Sequence, residues 1–256
     1  MKTQQSYVEG QIHVCKKPDI IAQLQKDILP LQGLKALSTD SNIGIGFKPI
    51  ELSFPNATFP VGFMHEFLSA TTEDAAATNG FVAGLLSRLM QFGGACIWIS
   101  ASRTLFPPAL KTFGIKPDQV IFIDLKKEKD VLWTIEVALK CDKLSAVLGE
   151  LKEISFTELR RLQLAAEQSR VTGLLVRHQS YILNTIACVS QWRITSLPTE
   201  LVDGMPGVGF SRWYVELLKV RNGKPGSWKL EWSSNGFQQI KQNIFSLPEE
   251  ERRKTG

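Results

Sequence analysis

Apolar residues in this chain follow two rhythms. In the first, short runs are apolar at nearly every position: Val61 to Leu68 (VGFMHEFL), Ala95 to Ser100 (ACIWIS), Val120 to Leu125 (VIFIDL), Leu144 to Leu148 (LSAVL) and Gly173 to Arg177 (GLLVR). Between these runs, apolar residues recur every three or four positions, the spacing that gives a helix one buried face. Such stretches cover roughly Asn79 to Gln91, Leu105 to Phe113, Glu128 to Cys141 and Phe156 to Arg170. Strands buried on both faces and alternating with helices predict an α/β domain with a mostly parallel sheet covered on both sides. Local signals agree. Gly93-Gly94 and Gly114 suit helix ends, Pro107 and Pro108 suit a first helical turn, and Thr157 suits an N-cap.

The second rhythm begins after residue 186. Ala187 to Ile194, Arg212 to Val220 and Trp228 to Trp232 alternate apolar with polar side chains, the period of a sheet with one wet face. Asn222-Gly223 between the last two is a hairpin signal, because both residues tolerate positive φ. The sheet is therefore expected to finish in antiparallel strands. On the strand through Trp213, the two-residue period places Lys219 and Arg221 on the same side as Trp213, Val215 and Leu217. Upstream, Pro18 to Ile28 has the spacing of a short helix, followed by a linker, and Ile50 to Phe54 reads as an edge strand. These boundaries give a lead-in over 1–48, a domain over 49–236 and a terminal helix or tail over 237–256.

The stretch Phe67 to Gly84 (FLSATTEDAAATNGFVAG) joins the first apolar strand to the first helix. That is where α/β nucleotide-binding domains place a phosphate loop, G-x-x-x-x-G-K-[ST]. With Gly80 set at the last Gly of that pattern, Phe81 falls at the Lys position and Val82 at the hydroxyl position, so neither phosphate charge nor Mg²⁺ has a ligand. Glu73 and Asp74 add negative charge that repels phosphate.

Composition narrows the class. The 256 residues are 43% hydrophobic and 21% charged, as in a globular protein with a sizeable core. No apolar run approaches bilayer length and the first residues lack the regions of a signal peptide, so a cytoplasmic protein with no membrane contact is expected. Cys15, Cys96, Cys141 and Cys188 are scattered, as are His13, His65 and His178, and neither a disulfide framework nor a metal site is indicated. The net charge of +5 is spread along the chain and permits an acidic partner or nucleic acid without demanding one.

The order and spacing of FPVGFMHEFLS, GGACIWIS, LFPPALKTFGI, DVLWTIEVALKC, RRLQLAAEQSRVTGLLVRH and WYVELLKVRNGKPGSWKLEW resemble the RecA-like ATPase core, and more closely the ImuA family of bacterial SOS mutagenesis proteins, from about Ile50 to Trp232. The resemblance implies a RecA-like α/β fold: a mostly parallel central sheet, helices on both faces, and antiparallel strands at the C-terminal end. Active members of the wider class carry a Glu after the second strand, where this chain reads Ser100-Ala101-Ser102-Arg103, and an Asp after the fourth, where it reads Gly149-Glu150. Glu150 is the one acidic survivor, and its plain structural reading is a carboxylate near the start of a helix. Without Lys and metal, phosphoryl transfer loses its main electrostatic stabilisation, so no ATP hydrolysis, no cofactor and no catalytic residue are expected.

By the same resemblance, the protein is an accessory factor of error-prone translesion synthesis. Its implied partners are an ImuB-like inactive Y-family polymerase and, through it, the error-prone replicative-type polymerase, with RecA as a further candidate and self-association through RecA-like surfaces left open. Two other readings stay open: a divergent ATPase of the RecA class, and a SulA-like inhibitor of cell division that binds FtsZ. Candidate contacts for single-stranded DNA or an acidic partner are Arg160 and Arg161, then Lys219, Arg221, Lys224 and Lys229 at the hairpin. Asp203 to Phe210 (DGMPGVGF) reads as a surface loop, and Trp98 and Trp133 as core residues.

Overall fold

The computed structural model describes residues 45–101, 103, 105–178, 187–199, 209–234 and 236–240. The expected helix at Pro18 to Ile28 with its linker, most of the Asp203 to Phe210 loop and the tail beyond residue 240 lie outside them. The described residues form nine strands in one sheet, ordered β3-β2-β4-β5-β1-β6-β7-β8-β9. The strands are β1 Met64–Ser69, β2 Ala95–Ser100, β3 Val120–Asp124, β4 Leu144–Leu151, β5 Thr172–His178, β6 Ser190–Leu197, β7 Arg212–Val220, β8 Gly226–Ser233 and β9 Gly236–Gln239. The helices are α1 Lys48–Glu51, α2 Thr72–Leu89, α3 Glu128–Leu139 and α4 Phe156–Ser169.

Strands β1 to β5 pair in parallel, as their unbroken apolar runs require. β6 also runs parallel to β1, and the antiparallel ladders begin only between β6 and β7. The hairpin turn follows β7 and has Asn222 at φ 56°. The fold is thus the RecA-like α/β arrangement expected, with the switch of direction one strand later. β9 corrects the terminal helix expected from Phe237: Phe237 instead pairs with Trp232 and is buried against it. Ile50 to Phe54 is likewise not a strand, since Ile50 and Glu51 lie within α1 and Leu52 caps it. Pro49 at the first turn of α1 has no N–H to spare for a ladder and favours that helical start.

Two apolar layers sandwich the sheet. One holds α2 against Phe67, Trp98, Leu148, Trp192, Trp213 and Phe237, and the other holds α3 and α4 against Met64, Ile99, Val147 and Leu175. α4 begins with a capping box at Ser155, whose hydroxyl accepts the Glu158 N–H while Glu158 reaches back to the Ser155 N–H. That corrects Thr157 as the cap. Leu105 to Phe113 forms a 3₁₀ segment, Pro107–Phe113, and Gly114 ends it in the left-handed conformation at φ 77°. Trp98 is core, as expected, but Trp133 is 65% exposed. Its helix buries Val131, Ile135 and Leu139, and the 100° step per residue turns position 133 away from them.

Candidate functional site

In a parallel α/β sheet the ligand crevice lies beyond the carboxyl ends of the strands. Here that region contains the junction of β1 with α2, the ends of β2, β4 and β5, and the candidate residues Glu73, Asp74, Ser100, Arg103 and Glu150.

The junction is shorter than the sequence pattern suggested. β1 ends at Ser69 and α2 starts at Thr72, so only Ala70 and Thr71 connect them. Two residues cannot wrap a phosphate. Thr71 caps the helix by accepting the Asp74 N–H at 3.1 Å, and Ser69 Oγ donates to Thr78 Oγ1 at 2.9 Å. The Glu73 carboxyl is held below its ordinary range by its own backbone N–H and then by the Thr71 and Thr72 hydroxyls. The positive end of α2 is therefore already engaged by the protein's own acceptors, and an anion would meet Glu73 and Asp74.

The alignment that set Gly80, Phe81 and Val82 in a loop is corrected by the same geometry. All three lie within α2. Phe81 is 1% exposed and packs its ring 5.0 Å from Phe237 and 6.0 Å from Trp213. A Cβ on Gly80 would come 3.2 Å from the Trp213 ring, and one on Gly84 would come 2.8 Å from both Phe237 and Trp232. The two glycines, one helical turn apart, let α2 approach the tryptophans of β7 and β8. Their place in the fold is one of close packing.

Glu150 lies inside β4 and not at a helix start; α4 begins at Phe156. Register aligns it with Val176 of β5, on the α2 side of the sheet. The Trp98 indole N–H donates to its Oε1 at 2.6 Å, and His178 Nε2 lies 3.0 Å from its Oε2. Glu150 is 5% exposed. Both carboxylate oxygens are thus bound by protein donors, which a metal ligand or a water-activating base would need to release. At the end of β2, Arg103 forms a forked pair with Asp124, at 3.2 and 2.5 Å, and its guanidinium lies 4.7 Å from the Phe122 ring centroid. No group of three or more His, Cys, Asp or Glu able to hold a metal occurs among the described residues.

A second polar centre went unrecognised in the sequence. Glu66 on β1 accepts from Arg177 at 2.9 Å and from the Gln191 amide at 2.7 Å, all three being nearly inaccessible to solvent. His65 next to it is stacked on Phe59 at 4.3 Å, with its nitrogens 2.6 Å from Ser190 Oγ and 2.8 Å from the Pro60 carbonyl. Burial pushes its pKa down to about 3, against a smaller opposing effect of the Pro60 contact. The buried Cys96 and Cys188 thiols are inert, with burial raising Cys96 to about 12 and Cys188 further still.

The basic candidates separate into groups. Arg160 is exposed on α4, while Arg161 pairs with Glu136 of α3. Arg221 pairs with Glu167 at 3.2 Å and also donates to the Ala187 carbonyl. Lys224 and Lys229 are exposed and Lys219 is half-buried. A bulge in β7 corrects the predicted faces. Trp192 lies opposite Leu217 whereas Gln191 lies opposite Lys219, so one extra residue intervenes on β7. The side-chain alternation flips there, and Lys219 and Arg221 point away from the tryptophan side. They join Tyr214 and Lys229, which face each other across the β7–β8 ladder on that wet face. Two ion pairs share the same face, Arg193 with Glu216 and Arg212 with Glu231.

No protein-family model matches the chain. Two curated relatives do, each called Protein ImuA, from two strains of Caulobacter vibrioides. Each is 31% identical over 206 residues, a match that covers 76% of this chain and 84% of the relative.

Proposed function

The chain belongs to the ImuA family, and from that premise we propose that it is a non-catalytic accessory protein of SOS-induced, error-prone translesion synthesis. It acts through protein contacts. One observation carries the non-catalytic part: the two-residue connection between β1 and α2 leaves no loop to hold a phosphate. The bound state of both Glu150 oxygens supports it. Its partner in this reading is an ImuB-like inactive Y-family polymerase, and through it the error-prone replicative-type polymerase.

The test has two parts. Purified protein with Mg²⁺ and ATP is expected to show neither turnover nor binding of a fluorescent ATP analogue. Turnover that Glu150→Gln abolishes would sink the non-catalytic reading. Co-purification from damage-induced cells is expected to recover an ImuB-like protein, and recovery of FtsZ in its place would overturn the translesion assignment.

Direct contact with single-stranded DNA is a second reading, favoured by the bulge that turns Lys219 to the face of the sheet on which Lys229 lies opposite Tyr214. Cations beside an aromatic ring suit phosphate neutralisation with base stacking. In a salt titration, Lys219→Ala/Lys229→Ala is expected to weaken binding and flatten its salt dependence. No binding at low salt, or binding unchanged in the double variant, removes this reading.

A further inference from the structure

The two outer strands of the sheet differ in how they meet solvent. β9 (GFQQ) ends in two exposed glutamines, whereas β3 reads VIFID, with four apolar residues in succession and no Lys, Pro or Gly among them. Edge strands without such residues are templates for further pairing. Among the described residues β3 has one neighbour, β2. The Leu125 N–H donates to the Ser100 carbonyl at 2.9 Å, so by the two-residue period Ile121 and Ile123 also direct their peptide groups toward β2. Val120, Phe122 and Asp124 direct theirs outward. Ile121 is 50% exposed on the α3 side, beside the partly buried Ile123.

We propose that β3 is a self-association edge, which pairs antiparallel with β3 of a second copy about a two-fold axis through Phe122. The geometry closes on itself. Phe122 would exchange both backbone hydrogen bonds with its own counterpart, and Val120 with Asp124 of the other copy, about six bonds in all. Ile121 would lie opposite Ile123 of the other copy in the close, non-hydrogen-bonded register, covering the exposed apolar side chain. Charge does not oppose it. Residues 116–130 carry four lysines and four carboxylates, and Asp124 at the end of the pairing is already neutralised by Arg103. This inference stands apart from the accessory role proposed above, because it needs neither a polymerase nor DNA.

Sedimentation velocity of the full chain across a concentration series is expected to show a monomer–dimer equilibrium in about the micromolar range, since a five-residue ladder is a small interface. Ile121→Lys, a side chain whose stem can lie on the surface, is expected to weaken the dimer by about tenfold or more. Register is tested in a Cys15→Ser/Cys141→Ser background. A mixture of Ile121→Cys and Ile123→Cys chains should form a disulfide-linked dimer under mild oxidation, and neither chain should do so alone. A chain that stays monomeric to about 100 μM, or a dimer that Ile121→Lys leaves intact, overturns the proposal, as does cross-linking of either single variant as efficiently as the mixture.

Discussion

Glu66 and Glu150 lie on adjacent rungs of the sheet, opposite Leu175 and Val176 of the same strand, and so face opposite layers. Both are buried; Glu150 stands toward the carboxyl end of β4, where acids in this kind of fold do chemistry, and Glu66 lies midway along β1. Their partners differ. Glu66 is met by a buried guanidinium and an amide, a full countercharge in a site nearly inaccessible to solvent. Glu150 is met by an indole N–H and by a histidine that is 22% exposed at the rim. The difference teaches that a surviving acid at a catalytic address is not by itself a remnant of catalysis. What decides is whether its oxygens are free, and in both cases the protein occupies them.

The comparison can be broken most decisively at Arg177. Arg177→Met leaves the Glu66 charge buried without its partner and is expected to cost about 3–5 kcal/mol in denaturant unfolding. Pairing it with Glu66→Gln should restore most of that loss, since the uncompensated charge is then gone. Trp98→Phe keeps the ring and removes the donor to Glu150, and should cost about 1–3 kcal/mol. If Trp98→Phe proves as damaging as Arg177→Met, the ranking of the two sites is wrong.

Acid unfolding sharpens the comparison once His65 is separated from it. The folded pKa of His65, about 3, lies below its ordinary value of 6.5, so the folded state holds the neutral ring. The unfolded chain then takes up the proton first as pH falls. Stability should be intact above about pH 6.5 and decline toward pH 3 by up to about 1.4 kcal/mol per pH unit. His65→Gln is expected to flatten that slope, leaving the carboxylates as the remaining acid-sensitive groups. The smallest effect is expected at the rim. His178→Ala should cost under about 1 kcal/mol, because solvent can reach that side of the Glu150 carboxylate. A larger loss would place His178 among the buried determinants alongside Trp98.

The helices and strands of the parallel half were legible because their signals are local. ACIWIS and GLLVR each state a doubly buried strand within a few residues, VIFID states a strand although it lies at the edge and is only partly buried, and the hairpin at Asn222 declares itself in two. The start of α2 was missed because Thr72 to Ala76 is polar and small, so apolar periodicity begins only at Ala77. A signal was present: Thr71 followed three residues later by Asp74 is the pattern of a capped helix start. The β7 bulge left no such trace, since Leu217-Leu218 continues the apolar pattern while the register slips beneath it.

By itself the sequence determined the class of fold, the order of its elements, and the absence of the Lys and hydroxyl that a phosphate loop requires. Tertiary structure decided what those positions do. Gly80 and Gly84 became glycines of close packing only because β7 and β8 bring their tryptophans to within van der Waals reach. Glu150 and Trp98 are 52 residues apart, and Glu66 and Arg177 are 111 apart. Periodicity and propensity act over a few residues, whereas these pairs exist only because parallel register aligns distant strands rung by rung. The same register, slipping by one residue at Leu218, turned Lys219 and Arg221 from the tryptophan side to the open face of the sheet.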